Sequence, residues 1–292
     1  MGLETGGVIL RGTTKLVGVI GFPIEHSLSP PMHNAAFAKL GMDWAYVAYR
    51  VEPARVPEAI RGIVALGMVG LNVTIPHKQA AAELVDELDP AARALHSVNT
   101  IHNLSGMLKG YSTDGPGFVR SVEETGARLQ GKAVTLIGAG GSARAVAYAL
   151  VSAGVGSLTV AARRPQKAEE VAAMVTEHTG RSVAVVDLNS PSARETVLRS
   201  DILVDSTSVG MHPNVDVPPV IPADWMHAGQ LVCDLTYNPR ETCLLKAARA
   251  AGAETLDGTG MLVHQGAIAF EIWTGVKAPV ETMREALLKE LG

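Results

Sequence analysis

The sequence is poor in aromatic residues, in cysteine and in net charge. Aromatics make up 4% of its 292 residues, as three Trp, five Tyr and four Phe. So few rings argue against the stacking platforms that hold single-stranded nucleic acid. The formal net charge is −4, which offers no broad basic field to a polyanion. Two cysteines, Cys233 and Cys243, cannot build a disulfide framework or a four-ligand zinc site. They read as free buried thiols of a reducing compartment. No apolar run reaches the roughly 18 residues that a membrane span needs. The N-terminus, "MGLETGGVILRGTTK", lacks a basic stretch followed by a full apolar one, and Gly2 lacks the Ser or Thr at position 6 that myristoylation requires. The expectation is a cytoplasmic protein with neither a membrane nor a nucleic-acid partner, and either a monomer or a homodimer.

What is abundant is small and aliphatic. The chain is 47% hydrophobic, enough for one large or two ordinary globular domains. A core of Ala, Val, Leu and Ile suits helices packed on parallel strands. The first third alternates strand and helix: strands at 16–21, 44–51 and 69–75, helices at 30–41, 56–67, 79–88 and 90–95. A hairpin follows, flanking Leu104-Ser105. From Asp114 a helix leads into strand 132–138, and a βαβαβα order then runs to "DILVDST" (201–207). That order predicts a parallel, doubly wound sheet. The Pro-rich stretch 215–229 is a loop, because "QLVCDLTY" resumes the sheet, and helices close the chain at 258–273 and 280–290. The fold class expected is therefore α/β, with two domains. Residues 1–113 and 258–292 would form one discontinuous domain, and residues 114–257 a Rossmann-type dinucleotide-binding domain inserted into it.

The segment "VTLIGAGGSARA" passes from strand into helix with the spacing G-x-G-x-x-A at Gly138, Gly140 and Ala143. The first glycine permits a tight turn and the second lets backbone approach a pyrophosphate. The alanine keeps helix and strand close, and the helix N-terminus faces the anion. The next strand ends "TVAARRPQKA". An NAD enzyme would place an acidic residue there, on the ribose diol. Instead Arg163 and Arg164 arrive, with Lys167 one turn later. Paired guanidinium hydrogen bonds suit a 2′-phosphate, so NADP is the expected cofactor.

Elsewhere, polar residues gather where strands end. "GFPIEHSLSPPMHN" (21–34) sets Ser27 and Ser29 just before a helix, where one serine would suffice as a cap. "GLNVTIPHKQA" (70–80) ends an apolar strand on Asn72, Thr74 and, past Pro76, Lys78. "SVNTI" embeds Asn99 in an apolar strand, and "GYSTDGPGF" places Asp114 at the domain seam. These hydroxyls, amides, ammonium and carboxylate suit a small polyhydroxylated acid, with no Cys or His cluster for a metal. His26, His33, His77 and His96 lie near the motifs, but none has an obvious carboxylate partner in the sequence.

With these segments assembled, and with "STSVGM", "DLTYNPRETCLL" and "GTGMLVHQGAIAFEIWTG" in family order, the sequence resembles the shikimate dehydrogenase family over nearly its whole length. The resemblance implies a substrate domain and an NADP domain with a cleft between them. It also implies reversible NADP-linked reduction of 3-dehydroshikimate to shikimate, on the route to chorismate and the aromatic amino acids. By position, it implies that Ser27 and Ser29 bind the substrate carboxylate. Asn72, Asn99 and Gln265 would bind its hydroxyls, and Thr74 and Tyr237 would line the site. Lys78 and Asp114 would be the catalytic pair, with Lys78 the main acid/base and Asp114 orienting it. Gly138, Ala139, Gly140, Gly141, Ser142 and Ala143 would hold the pyrophosphate. Arg163, Arg164 and Lys167 would meet the adenosine phosphate, and Thr207, Gly258 and Met261 would lie near ribose or nicotinamide. The sequence departs from the family pattern at Ala162, where Asn is common, at Arg164, where Thr is common, and at Ser112 and His96-Ser97. A quinate or dual quinate/shikimate dehydrogenase using NAD is the nearest alternative. A non-catalytic sensor of nucleotides or sugar acids is the alternative from another class.

Overall fold

The computed structural model describes residues 10–292 and divides into two compact units. One holds the described residues up to Thr113 together with Gly266–Gly292, and the other holds Asp114–Gln265.

In the first unit, β1 (Lys15–Gly21), α1 (Ser29–Lys39), β2 (Trp44–Arg50), α2 (Val56–Ala65), β3 (Gly70–Val73), α3 (Lys78–Leu84), β4 (Glu87–Leu88), α4 (Pro90–Leu95), β5 (Thr100–Leu104) and β6 (Met107–Tyr111) follow in order. The strands form one sheet, β2-β1-β3-β5-β6-β4. β1 pairs in parallel with β2 and β3, whereas β5 runs antiparallel to both β3 and β6. The hairpin turn lies at Ser105-Gly106 rather than Leu104-Ser105. Both of its residues have positive φ, 56° and 103°, the backbone that matches the strand twist in a two-residue turn, so Leu104 stays in its strand. The predicted helix 79–88 ends at Leu84, since its tail supplies β4 to the sheet.

The sheet is covered on both faces. Ile20, Leu71 and Val73 face Ile60, Ile63 and Ala81 in one core cluster. On the other face Phe37 stacks on Trp44 and on Phe270, with ring centroids 5.4 and 5.3 Å away. Gly70 is required there. A Cβ on it would stand 2.4 Å from the Trp273 indole nitrogen, which donates to the Ile101 carbonyl across 2.9 Å.

The second unit begins with α5 (Asp114–Glu124). It continues through β7 (Ala133–Ile137), α6 (Gly141–Ser152), β8 (Ser157–Ala162), α7 (Pro165–Thr179), β9 (Ala184–Asp187), α8 (Ser192–Leu198), β10 (Ile202–Asp205), β11 (Leu231–Asp234), α9 (Cys243–Ala250) and β12 (Glu254–Leu256). Its sheet, β12-β11-β10-β7-β8-β9, is parallel throughout. Counted from β7, this is the doubly wound order in which the winding reverses between the first and fourth strands. The helix boundaries follow local chemistry. Pro165 opens α7 and Gly180, at φ 71°, closes it. The Thr242 hydroxyl caps α9 through the Leu245 N–H.

Two helices finish the chain, α10 (Thr259–Thr274) and α11 (Val280–Leu291). The division between the units falls inside α10, between Gln265 and Gly266, whereas the sequence pattern places the seam at Gly258. Nothing in "TGMLVHQGAIAFEIWT" breaks the helix. Its first half packs by Gly260 on Ser121 and by His264 on Glu124, and its second half by Phe270 and Trp273 on α1 and β3. No helix among the described residues is long and apolar enough to cross a membrane, and none of their His, Cys, Asp and Glu side chains gather as a metal site.

Candidate functional site

In the first unit the sequence-predicted residues meet at one edge of the sheet. That edge holds the carboxyl ends of β1 and β3 and the amino end of β5. At the end of β1, Gly21 leaves room for Thr74, whose methyl would lie 2.6 Å from a Cβ on that glycine. Thr74 donates its N–H to Ile20, and Phe22 donates to the Ile75 carbonyl. The loop after β1 and the turn after β3 are therefore stitched together. That loop brings Ser27 and Ser29 to the start of α1, with the Ser29 N–H 3.4 Å from the Ser27 hydroxyl. After β3, Pro76 is in cis, and the buried His77 fixes the turn through its Nε2 contact, 2.8 Å, with the Val51 carbonyl. Lys78 then opens α3, and its carbonyl accepts from Val98.

The two asparagines are more deeply engaged than their sequence context suggests. Asn72 and Asn99 are 6% and 4% exposed, so their amides need partners. The Asn72 amide donates to the Asn99 carbonyl, 3.0 Å, and to the Thr100 hydroxyl, 2.9 Å. Its oxygen accepts from the Tyr46 phenol at 2.7 Å. Asn99 accepts from the Thr113 N–H and donates to its hydroxyl. Tyr46 and Thr113 are absent from the sequence-derived set. Tyr46 sits in an apolar strand, where periodicity marks it only as core, and Thr113 is hidden beside Asp114.

The histidines divide. His33 is fully buried, its ring nitrogens have no hydrogen-bond partner, and burial pushes it down to about 3. It stacks flat on Tyr46 at 4.3 Å. His96 does have a carboxylate, Glu83 at 3.4 Å, thirteen residues away and on the exposed surface. Long-range pairing of this kind is invisible in sequence. A cavity of about 570 Å³ opens on the opposite face of the sheet, among Ile20, Met68, Leu71 and Arg55, and no sequence-predicted site residue lines it.

In the second unit, Gly138, Arg163-Arg164, Thr207, Tyr237 and Gly258 follow the carboxyl ends of β7, β8, β10, β11 and β12 in turn. All five therefore share one edge of the parallel sheet, where such folds bind ligands. Gly138 lies at the reversal of the winding. Its φ is 103°, and a Cβ there would meet the Ser206 hydroxyl at 2.6 Å, so only glycine fits. Gly140, by contrast, caps α6 with nothing within 4 Å of a Cβ and no side chain on the helix N-terminus. Gly141 and Ser142 are exposed in that first turn, and the fully buried Ala143 seats α6 on the sheet. Ala139 completes the loop at intermediate exposure.

Arg163 and Arg164 are exposed, and neither makes an ion pair with a described residue. Lys167 differs, since its ammonium is held by Glu170 at 2.7 Å. Thr207 donates its N–H to Asp205, and burial raises the Asp205 carboxyl to about 6, with the Asp234 charge adding to the effect. Tyr237 is half-buried, and burial raises its phenol. Gly258 packs on the chain just past β11, where a Cβ would fall 2.2 Å from the Leu235 carbonyl, and the partly exposed Met261 lies in the first turn of α10.

Asp114 opens α5. Gly115 and Gly117 let that helix approach its neighbours at backbone distance. A Cβ on Gly115 would stand 2.5 Å from the Ala145 carbonyl, and one on Gly117 2.6 Å from the Gln265 nitrogen. Gln265 thus lies one turn along α5 from Asp114. Its side-chain amide donates to the Leu262 carbonyl at 2.8 Å.

Comparison with known proteins assigns all of these segments to one family. Residues 19–101 match the shikimate dehydrogenase substrate binding domain, residues 120–240 the shikimate/quinate 5-dehydrogenase family, and residues 258–288 the shikimate 5′-dehydrogenase C-terminal domain. The NADP⁺ shikimate dehydrogenase of Methanopyrus kandleri is 48% identical over 97% of this chain and 98% of its own. The shikimate 5-dehydrogenase of Thermus thermophilus, solved with NADP(H) and shikimate, is similar with a TM-score of 0.85. It is 34% identical and covers 95% of this chain and 100% of its own. A quinate dehydrogenase from Corynebacterium glutamicum, solved with NAD, has a TM-score of 0.88 at 35% identity, covering 94% of this chain and 99% of its own. The chain belongs to the shikimate dehydrogenase family.

Proposed function

We propose that this protein is an NADP-dependent shikimate dehydrogenase that interconverts shikimate and 3-dehydroshikimate. The observation that carries the reading is full-length identity of 48% to an enzyme of that name, joined to a polar set in this chain that suits the substrate. By position in the family, Ser27 and Ser29 are assigned to a carboxylate, and Thr74, Lys78 and Asn99 to hydroxyls. Asp114, Tyr237 and Gln265 are assigned to the substrate in the same way, with Thr207, Gly258 and Met261 beside the nucleotide.

The residues present fit the nucleotide. Gly138 has a backbone that no side chain allows, Gly140 offers open backbone at an uncapped helix N-terminus, and two exposed arginines follow β8. Bound there, NADP⁺ supplies the hydride acceptor. Oxidation of a secondary alcohol removes a hydride from carbon and a proton from oxygen. Lys78 is assigned to take that proton at Nζ and to return it in the reverse direction, with Asp114 holding the hydroxyl in line. Asn72 has both amide hydrogens committed within the protein, so its part is to support Asn99 and Thr100.

Initial rates at the nicotinamide absorbance band, with shikimate or quinate and with NADP⁺ or NAD⁺, test the reading. Turnover of shikimate with NADP⁺ should dominate. Preference for quinate and NAD⁺ would move the chain to the quinate branch of the family, and turnover of neither acid would refute dehydrogenase function.

A further inference from the structure

Resting on that reading, we propose that Tyr46 is a positioning residue. It joins α1, the helix that the carboxylate-binding Ser29 opens, to the amide network under the hydroxyl-binding residues, and so sets the spacing between the two halves of the substrate subsite.

Tyr46 is in β2, opposite Val17, while Asn72 is in β3, opposite Val19. The tyrosine ring therefore reaches across β1 to bring its hydroxyl to Asn72. Only 2% of Tyr46 is exposed, so the hydroxyl has no access to solvent as a substitute partner. It donates to the Asn72 oxygen at 2.7 Å. Beyond Asn72 the network continues to Asn99, Thr100 and Thr113.

The ring itself is fixed on every side. The Asn34 carboxamide clips both backbone groups of Tyr46, donating to its carbonyl and accepting from its N–H, each at 2.9 Å. His33 lies parallel to the ring, at an interplanar angle of 3°, and Trp273 tilts against it at 6.2 Å. Asn34 and His33 belong to α1, the helix that Ser29 opens. The position of Ser29 relative to β3 is thus transmitted through one tyrosine, by its backbone, its ring face and its hydroxyl.

An aromatic that merely fills the core would lose stability on losing its hydroxyl and would leave kinetics alone. The test is Tyr46→Phe, which keeps the ring and its stacking. Steady-state kinetics should show the shikimate KM raised about tenfold, kcat changed by less than threefold and the NADP⁺ KM unchanged. In a Ser29→Ala background the same substitution should add less than threefold, because its route to the carboxylate is already cut. Should Tyr46→Phe fail to fold, Ser29→Ala, Asn72→Ala and their double variant provide the same information. Their effects on shikimate KM should miss additivity by threefold or more. Unchanged shikimate KM in folded Tyr46→Phe, equal changes in both substrates' KM, or additive Ser29 and Asn72 effects would overturn the proposal. Wild-type protein that does not oxidise shikimate would instead remove the functional reading on which it rests.

Discussion

Replacing Gly117 by alanine should separate catalysis from stability. A Cβ at this position would stand 2.6 Å from the Gln265 nitrogen and 2.9 Å from its Cα and Cβ. Ordinary contact begins about 0.5 to 1 Å further out, so α5 and α10 must part by that much. Overpacking of this kind costs about 1–3 kcal/mol. The helix-forming gain of alanine over glycine returns up to about 1 kcal/mol, since Gly117 lies inside α5. The net loss is about 0–3 kcal/mol, a fall in Tm of at most about 12 °C for a chain of this size. The kinetic consequence is larger. Gln265 sits beside the turn that Asp114 opens, and a displacement of about 1 Å in positioning groups costs on the order of 100-fold in rate. Initial rates should therefore show kcat/KM for shikimate reduced about 30- to 100-fold, with NADP⁺ affinity retained in a fluorescence titration. Gly62→Ala is the control, because nothing lies within 4 Å of a Cβ there, and it should leave the rates unchanged. Wild-type kinetics in Gly117→Ala would refute the claim that this helix contact sets the position of Gln265.

Three further outcomes are expected. Lys78→Ala should lower turnover by about 10²–10⁴-fold, the usual general acid–base contribution, and near-normal kcat would remove Lys78 from the chemistry. Arg163→Ala with Arg164→Ala should reduce kcat/KM for NADP⁺ by about 10- to 100-fold, the worth of one or two charge-assisted hydrogen bonds, while NAD⁺ changes by less than threefold. Equal losses with both cofactors would show that the arginines do not read the 2′-phosphate. Asp205 is held up at about 6 by burial, so the folded chain binds more protons than the unfolded chain between about pH 4 and 6. Its contribution to stability is complete below pH 4 and lost as pH rises through 6. Asp205→Asn keeps an acceptor for the Thr207 N–H. In denaturant titrations it should match wild type near pH 4 and exceed it by up to about 3 kcal/mol at pH 8. A pH-independent difference would contradict a buried charge.

Much of this protein is legible from local pattern. The glycine loop after β7 is readable because strand, glycine turn and helix are contiguous, and Gly138 meets a local need, a positive φ, that its position records. The same holds for Arg163 and Arg164, which follow β8 directly, and for Lys78, which opens α3 past Pro76. The parallel second sheet follows from alternating elements, since a parallel crossover needs an intervening helix. These features depend on neighbours in the chain, and the sequence by itself determined them.

Tertiary structure decided what depends on neighbours in space. Tyr46 reads as a core aromatic until β1 is known to lie between it and Asn72. Asn72 reads as a free amide until Asn99 and Thr100, where β5 begins, supply the carbonyl and hydroxyl that take both its hydrogens. Gly117 reads as a weak spot in a helix until Gln265, far along the chain, is found against it. The seam inside α10 is of the same kind. Nothing along that helix interrupts its local pattern, and only the surfaces against which its two halves pack divide it between the units. Propensity and periodicity act over a turn or a strand, whereas burial makes polar groups find partners wherever the fold brings them. That difference in range is why the motifs could be read from sequence and the network supporting them could not.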